Sequence, residues 1–169
     1  MTEQSAQVFD SAQIPAPFIG PNISVRNEWL DYNGHVTDSA YAVMCTAANE
    51  AFLEYLGVSA DYLARTDCTT YTVEAHLRYL AEVAGGATIT SETILVDADA
   101  KRLRIHTALF DGETQVLTGE YLYLHMDQSA GKVSPFPQDR ADVLAAVKAV
   151  HAALDQPAHI GRGVGAPRV

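Results

Sequence analysis

The stretch WLDYNGHVTDSAY, residues 29–41, gathers side chains that could carry out chemistry beside a chain reversal. A carboxylate such as Asp31 can activate water or attack a carbonyl carbon directly. The backbone N–H groups of Gly34, His35 and Val36 lie near a predicted helix start, where unsatisfied donors and the helix dipole favour developing negative charge. A carboxylate facing these donors is the minimum that hydrolysis of an activated acyl group requires.

The same residues have a structural alternative. Asp, Tyr, Asn and Gly in succession are common turn formers, so Asp31 could simply shape a turn. Thr37 and Asp38 are suited to cap the following helix, which leaves Asp31 without an obvious structural role. His35 could be a hydrogen-bonding turn residue, because the sequence shows no partner for a proton relay.

A strand followed by an apolar helix must position these residues. Alternation of apolar and polar residues predicts a short strand over residues 23–29. The helix is predicted over residues 39–56, ending at Gly57. Polar residues recur at every fourth position of this helix, namely Thr46, Glu50 and Glu54. The stripe is narrow, so most of the helix circumference should be buried.

The remaining chain alternates strands and turns before a last helix. CTTYTVEAHLRYL, residues 68–80, predicts a half-buried strand with one apolar and one polar face. The apolar face is Val73, Ala75, Leu77 and Tyr79, and the polar face is Thr72, Glu74, His76 and Arg78. Three more strands are predicted at about residues 87–97, 101–110 and 114–126, and an amphipathic helix at residues 136–154. The order indicates an α+β fold in which an antiparallel sheet of five or so strands wraps around a long central helix.

Length and charge restrict the organisation and the partners. At 169 residues the chain is predicted to form a single domain over residues 18–155, between a flexible arm of residues 1–17 and a flexible tail of residues 156–169. The net charge of -10 argues against nucleic acid or an anionic membrane as a partner. No secretory signal or membrane span is evident, and Cys45 and Cys68 have no disulfide or zinc spacing, so a cytoplasmic protein is expected.

Other polar groups have two interpretations each. Glu74, His76 and Arg78 either form a solvated face or line a cleft shared with a second subunit. The cations Lys101, Arg102 and Arg104 either protect a strand edge or contact a phosphorylated carrier, so together with Arg78 they are the predicted CoA-binding residues. No histidine spacing predicts a metal site, no cofactor is predicted, and the glycine-rich GRGVGA at residues 161–166 lacks the strand and helix of a dinucleotide loop.

DYNGHVTDSAY, with the apolar helix after it, resembles the signature of hotdog-fold acyl-CoA thioesterases of the 4-hydroxybenzoyl-CoA thioesterase type. The similarity continues through YTVEAHLRYLAEV and DADAKRLRIHTALF and covers approximately residues 20–126. Within that family, WLDYNGH, YTVEAHLRYL and KRLRIH together most resemble betainyl-CoA thioesterases of carnitine catabolism. The resemblance implies a hotdog domain that hydrolyses an acyl-CoA thioester without a cofactor, as a homodimer or dimer of dimers with the active site at the subunit interface.

The resemblance also implies residue roles. The catalytic carboxylate falls on Asp31, as general base or nucleophile, and the carbonyl-polarising backbone donor falls at or next to Gly34, with His35 beside it. Many relatives carry Asn-Asn where Thr37 and Asp38 stand, and the additional carboxylate suits a cationic acyl group. Aromatic faces and carboxylates could hold a trimethylammonium group. The predicted substrate-binding residues are Trp29, Tyr32, Asn33, Asp38, Tyr41, Tyr71, Glu74 and His76.

Two other functions remain open from the sequence. Asp31, Asn33 and His35 stand close together, much as the motif of a hotdog enoyl-CoA hydratase or dehydratase would require, although its proline and one residue of spacing are missing. A non-catalytic acyl-CoA binding protein could share the fold, and Asp31 would then be a turn residue only.

Overall fold

The computed structural model describes residues 13–163. The helices are α1 (Asp38–Tyr55), α2 (Ala60–Thr66) and α3 (Gln138–His151), with a 3-10 turn at Asn27–Trp29. The strands are β1 (Phe18–Ile19), β2 (Ile23–Ser24), β3 (Cys68–Tyr79), β4 (Thr88–Ala98), β5 (Arg102–Asp111), β6 (Thr114–Asp127) and β7 (Lys132–Val133). Among the described residues, no helix is long and apolar enough to cross a membrane.

All strand pairs are antiparallel, in the order β1-β4-β5-β6-β3, with β2 also on β4 and β7 on β6. Long strands joined by short turns produce this arrangement, because a hairpin can only join antiparallel neighbours. The predicted α+β fold is confirmed. β3 ends the sheet, so one side of its backbone has no neighbouring strand within the described chain.

Helix α1 forms the centre of the core, as its composition predicted. Met44, Cys45, Ala48 and Phe52 have no exposed surface and face the sheet. Burial of a large apolar side chain contributes about 1.5–3 kcal/mol, so this face of α1 fixes the helix on the sheet. The first residue of the helix, Asp38, therefore holds a defined position beside the Asp31 turn.

The predicted strand over residues 23–29 is wrong beyond Ser24. β2 ends there, and the chain turns at Asn27–Trp29, where Trp29 N–H donates to Arg26 O and Leu30 N–H to Asn27 O. Short polar residues such as Asn27 favour local hydrogen bonds over a sheet ladder, which ends the pairing.

The single polar face predicted for β3 is also wrong. A bulge shifts the register between Thr72, which pairs with Tyr123, and Glu74, which pairs with Leu122. Thr72 therefore points to the helix side of the sheet, and Glu74, His76 and Arg78 point to the outer side. A bulge inserts one unpaired residue, here Val73, and so reverses the alternation on either side of it.

Parts of the predicted flexible arm, residues 1–17, and of the predicted flexible tail, residues 156–169, contact the sheet. Ile14 is buried, and Pro15 O accepts from the ring of the buried His151. Residues 157–163 lie on the outer side, where His159 meets His106 and Gly161 N–H donates to Glu120 at 2.8 Å. Residues 1–12 and 164–169, which include the rest of the predicted arm and tail, lie outside the described residues.

Candidate active site

Asp31 is held in a tight turn by reciprocal hydrogen bonds. Its backbone N–H donates to His35 O at 2.8 Å, and its carbonyl accepts from Gly34 N–H at 3.0 Å. Its carboxylate oxygen Oδ1 accepts from the N–H groups of Asn33, at 2.8 Å, and His35, at 3.1 Å. Asp31 thus shapes a turn, which is the structural alternative that its sequence neighbours indicated, and its second oxygen is nearly free for chemistry. That oxygen, Oδ2, has one long contact, to Asn33 Nδ2 at 3.4 Å.

The charge of this carboxylate is stabilised by its donors. The hydrogen bond from His35 N–H, followed by those from Asn33, lowers the pKa of Asp31 below its ordinary value and outweighs the opposing effect of burial. Asp31 is therefore ionised at neutral pH. A carboxylate with a low pKa is a weak general base, because efficient base catalysis requires a pKa near the working pH.

The three N–H groups expected to form an oxyanion site are already occupied. Gly34 N–H donates to Asp31 O, His35 N–H to Asp31 Oδ1, and Val36 N–H to Val83 O. The expectation that they are free to receive negative charge is wrong for this arrangement. At the start of α1, Ser39 N–H donates to Asp38 Oδ1 and Ala40 N–H donates to Thr37 O. Asp38 N–H, in contrast, forms no hydrogen bond with another described residue.

A cavity of about 390 Å³ opens beside the helix start. Its lining is His35, Val36, Asp38, Tyr41, Tyr79, Leu80, Ala81 and Glu82. His35 Nε2 lies 3.5 Å from Glu82 Oε2, so His35 has a carboxylate partner. Tyr79 donates to Asp38 O at 3.4 Å. Glu82 was not predicted from the sequence because it follows β3, and the pairing of His35 with Ala84 is what brings the two segments together.

The predicted aromatic cage does not assemble within one chain. Tyr32 is 98% exposed, whereas Tyr41 is 4% exposed and donates its hydroxyl to Ala81 O. The face of Trp29 is covered by the guanidinium of Arg26 at 5.1 Å. Tyr71 lies on β3 and accepts from Gln128 Nε2. Asp38 and Tyr41 both line the cavity beside the helix start, but Trp29, Tyr32 and Tyr71 are not among its lining residues, so the predicted cage is incomplete within the described part of one chain.

The other predicted residues lie on the outer side of the sheet or at a turn. Glu74, His76 and Arg104 line a second cavity of about 390 Å³ together with Glu120. Arg104 forms an ion pair with Glu120. Arg102 pairs with Asp99, and Lys101 is exposed beside it. Two of the four predicted CoA-binding cations thus already have carboxylate partners.

Metal ligands are not grouped within the described residues: no cluster of three or more His, Cys, Asp or Glu side chains has suitable geometry there. The chemistry available at the Asp31 turn is accordingly that of a carboxylate and a helix N-terminus. Both lie at the surface of the chain, where a second protein could cover them.

Comparison with known proteins identifies the group to which these features correspond. A model of the thioesterase-like superfamily matches residues 25–147. The chain is 42% identical over 147 residues to an L-carnitine dehydrogenase/betainyl-CoA thioesterase of Agrobacterium fabrum, which covers 86% of this chain and 30% of that protein. It is 36% identical over 150 residues to the betainyl-CoA thioesterase of Pseudomonas aeruginosa, which covers 86% of this chain and 92% of that protein. The chain thus spans about three-tenths of the first relative and nearly all of the second.

Solved structures show the same fold. A Staphylococcus aureus protein in complex with CoA superposes with a TM-score of 0.82 at 24% identity, over 89% of this chain and 96% of that one. A 1,4-dihydroxy-2-naphthoyl-CoA thioesterase from Synechocystis superposes with a TM-score of 0.65 at 19% identity, over 83% of this chain and 98% of that one. The hotdog architecture is therefore confirmed.

Proposed function

The chain belongs to the thioesterase-like superfamily, and from that premise we propose that it hydrolyses betainyl-CoA to betaine and CoA. The observation that carries the proposal is the match to a betainyl-CoA thioesterase over 92% of that protein's length. An ionised carboxylate in the turn that leads into a buried helix supports it, because a carboxylate and a helix N-terminus together suit attack on a thioester carbonyl.

Asp31 is the proposed nucleophile. Oδ1 is fixed by two backbone donors, so Oδ2 is the oxygen that attacks the thioester carbon. The carbon–sulfur bond breaks, CoA leaves as the thiolate and takes up a proton, and the acyl group remains on Asp31 as a mixed anhydride. Water then cleaves the anhydride and regenerates the carboxylate. The lowered pKa of Asp31 favours this route over general-base activation of water.

The helix N-terminus supplies the positive potential for the carbonyl oxygen. Asp38 N–H is the proposed donor in place of Gly34 N–H, because the latter already bonds to Asp31 O. Aligned peptide dipoles give a helix N-terminus about half a positive charge, which acts on an oxyanion without any rearrangement. His35 and Glu82 line the adjacent cavity and orient the substrate there.

A second copy of the chain completes the proposed site. β3 has an unpaired edge, and it and the residue after it carry exposed apolar side chains: Tyr71, Val73, Tyr79 and Leu80. Antiparallel pairing of two β3 edges would satisfy the backbone and cover these side chains. The Tyr79 end of β3 contacts Asp38, so the partner would lie directly beside the Asp31 turn.

A panel of thioesters tests the function. Thiol release is measured with betainyl-, acetyl-, 4-hydroxybenzoyl- and long-chain acyl-CoA. The proposal predicts rapid release from betainyl-CoA and much slower release from the others. Release from another thioester alone would support thioesterase activity but contradict betainyl-CoA as the substrate. Release from none of them would contradict hydrolysis altogether. A binding protein would hold acyl-CoA without any release.

A further inference from the structure

The largest cavity described lies away from the Asp31 turn, in a groove between α1 and β3. Its volume is about 780 Å³. α1 contributes Glu50 and Glu54, the start of α2 contributes Asp61, and the floor includes Tyr121 and Tyr123. One wall of this cavity is thus the polar stripe of α1, which the sequence pattern predicted to face solvent: Thr46, Glu50 and Glu54.

The groove is acidic, and none of its described lining residues is a lysine, arginine or histidine. Glu50, Glu54 and Asp61 are exposed, and none of them forms an ion pair with another described residue. The nearby Arg65 donates to the backbone oxygen of Asp61, not to its carboxylate. Three carboxylates around one cavity produce a negative potential that repels the phosphates of CoA and attracts a cation.

The floor holds an unused buried hydroxyl. Tyr121 is 7% exposed, and its hydroxyl has no conventional hydrogen bond among the described residues, since only the weakly bonding Cys45 thiol lies beside it. Its neighbour Tyr123 is stacked at 6.3 Å and accepts from Asn49 Nδ2 at 3.0 Å. An unsatisfied buried hydroxyl costs free energy. A quaternary ammonium group cannot accept its hydrogen, but the positively charged methyl groups of such a ligand can contact its oxygen. Aromatic rings combined with carboxylates are also the surroundings that quaternary ammonium groups prefer.

We propose that this groove binds the quaternary ammonium head of the acyl group, and that each subunit offers its groove to the Asp31 turn of its partner. The inference rests on the proposed function, whose substrate has a cationic head. It assigns Glu50, Glu54 and Tyr121 as specificity-determining residues in place of the aromatic cage, which does not assemble.

Helix geometry requires the partner. Glu50 lies twelve residues beyond Asp38 on α1, which is about 18 Å at 1.5 Å per residue. The carbonyl carbon and the nitrogen of a betainyl group are only a few ångströms apart, so a chain cannot offer its own Asp31 and its own Glu50 to one substrate. Full-length antiparallel pairing of two β3 edges sets Thr70 opposite the partner's Leu77 and Cys68 opposite the partner's Tyr79. The groove, which Thr69 and Thr70 line, then adjoins the partner's helix start.

Binding of a simple cation tests the groove independently of catalysis. Tetramethylammonium is titrated into wild type and into the double variant Glu50→Gln/Glu54→Gln, with Glu113→Gln, an exposed hairpin carboxylate, as the matched control. Saturable binding that weakens roughly tenfold in the double variant and is unchanged in the control supports the proposal. Absence of binding to wild type, or equal binding to all three, overturns it whether or not the protein hydrolyses betainyl-CoA.

A neutral isostere separates recognition from reaction. 3,3-Dimethylbutanoyl-CoA has the shape of betainyl-CoA with carbon in place of the charged nitrogen. The double variant should lower kcat/KM for betainyl-CoA roughly tenfold and leave that for the isostere unchanged or higher. Tyr121→Phe, which removes only the unpartnered hydroxyl, should fold normally and also weaken betainyl-CoA selectively. An equal loss on both substrates would assign the groove a structural role and overturn the inference.

Mixed dimers test the sharing between subunits. One chain carries Asp31→Asn and the other carries Glu50→Gln/Glu54→Gln. If the groove acts on the partner's Asp31, a mixed dimer contains one fully intact site, and an equal mixture recovers about a quarter of wild-type activity. If the mixture shows only the mean of the two parents, the groove does not act across the interface.

Discussion

Asp31 and His35 bind each other through two hydrogen bonds: Asp31 N–H donates to His35 O at 2.8 Å, and His35 N–H donates to Asp31 Oδ1 at 3.1 Å. The pair makes the turn and the reactive carboxylate one unit. The turn therefore fixes the direction of Oδ2, and the charge on the carboxylate stabilises the turn.

This arrangement predicts where activity is lost in acid. The pKa of Asp31 is below its ordinary value of 3.8, mainly because His35 N–H bonds to the ionised form. The nucleophile is active when deprotonated, so kcat/KM should stay constant as pH falls through the neutral range and decline only below pH 3.8. Stopped-time assays over the pH range check this, with circular dichroism at each pH to confirm folding. A decline near the ordinary pKa of histidine would assign the essential group elsewhere.

Isotope labelling distinguishes the two routes open to Asp31. After a single turnover in H₂¹⁸O with excess enzyme, ¹⁸O in the Asp31 carboxylate shows that an anhydride formed, because water that attacks the Asp31 carbonyl of the anhydride leaves its oxygen there. Peptide mass spectrometry of the Asp31 fragment measures it. If only the released acid is labelled, rapid-quench mass spectrometry of the same fragment decides: an added acyl mass during a single turnover shows the anhydride, and its absence throughout assigns Asp31 as a general base.

The edge of β3 should control assembly. Val73 is 50% exposed at the bulge in the middle of the strand, so Val73→Lys places a charged side chain from each subunit in the interface if β3 edges pair. We expect a shift from dimer to monomer in light scattering and a loss of activity. Ile19→Lys is the matched control, because Ile19 is 59% exposed on β1 at the opposite side of the sheet. Equal oligomeric states for both variants would place the interface elsewhere.

Gly119 should be required for the position of Tyr121. A Cβ atom at residue 119 would lie 2.6 Å from Tyr121 Cε2 and 3.0 Å from Leu77 Cδ2. Gly119→Ala should lower the free energy of unfolding by about 1–3 kcal/mol, since a packed sheet face cannot absorb the added methyl group. Gly163→Ala meets no atom within 4 Å and should change it by less than about 0.5 kcal/mol. Urea denaturation measures the free energy of unfolding of both variants. Equal changes in the two would show that the Tyr121 ring can move to accommodate the added methyl group.

Two buried histidines should make the fold less stable in acid. Burial, together with His159 and Arg78 and against the opposing charge of Glu120, lowers the pKa of His106 to about 4. Burial also lowers the pKa of His151, whose Nδ1 accepts from Leu95 N–H. Both folded pKa values lie below the unfolded value of 6.5, so their stabilisation is complete above pH 6.5 and declines as pH falls towards about 4. Urea unfolding at several pH values in this range measures how steeply the free energy of unfolding falls as the pH is lowered. His106→Gln should make that slope smaller. A slope that is the same in wild type and variant would contradict the assignment.

The sequence predicted features that depend on local periodicity. The α1 pattern indicated residues 39–56, and the helix is Asp38–Tyr55. Strands β4, β5 and β6 fell close to their predicted bounds because hairpin turns and alternation are local signals. The Val73 bulge has no such signal, and it moved Thr72 to the other side of the sheet.

The site was less predictable, because its geometry depends on contacts far apart in sequence. Asp31 stays the predicted catalytic residue, but the occupation of the Gly34, His35 and Val36 N–H groups follows from how the turn closes and from Val83. The aromatic residues near Asp31 suggested a cage, whereas the fold disperses them and joins the α1 stripe to Tyr121 instead. Glu50 and Tyr121 lie 71 residues apart, and no local pattern connects them.

The central claim is that the Asp31 carboxylate carries the hydrolysis, and the most direct measurement is CoA release from betainyl-CoA by wild type and Asp31→Asn side by side. Asparagine keeps an oxygen to accept the turn's hydrogen bonds but cannot form the anhydride. We expect a loss of at least about a thousandfold in kcat, with the fold and substrate binding retained. Turnover by Asp31→Asn within a fewfold of a measurable wild-type rate would contradict it.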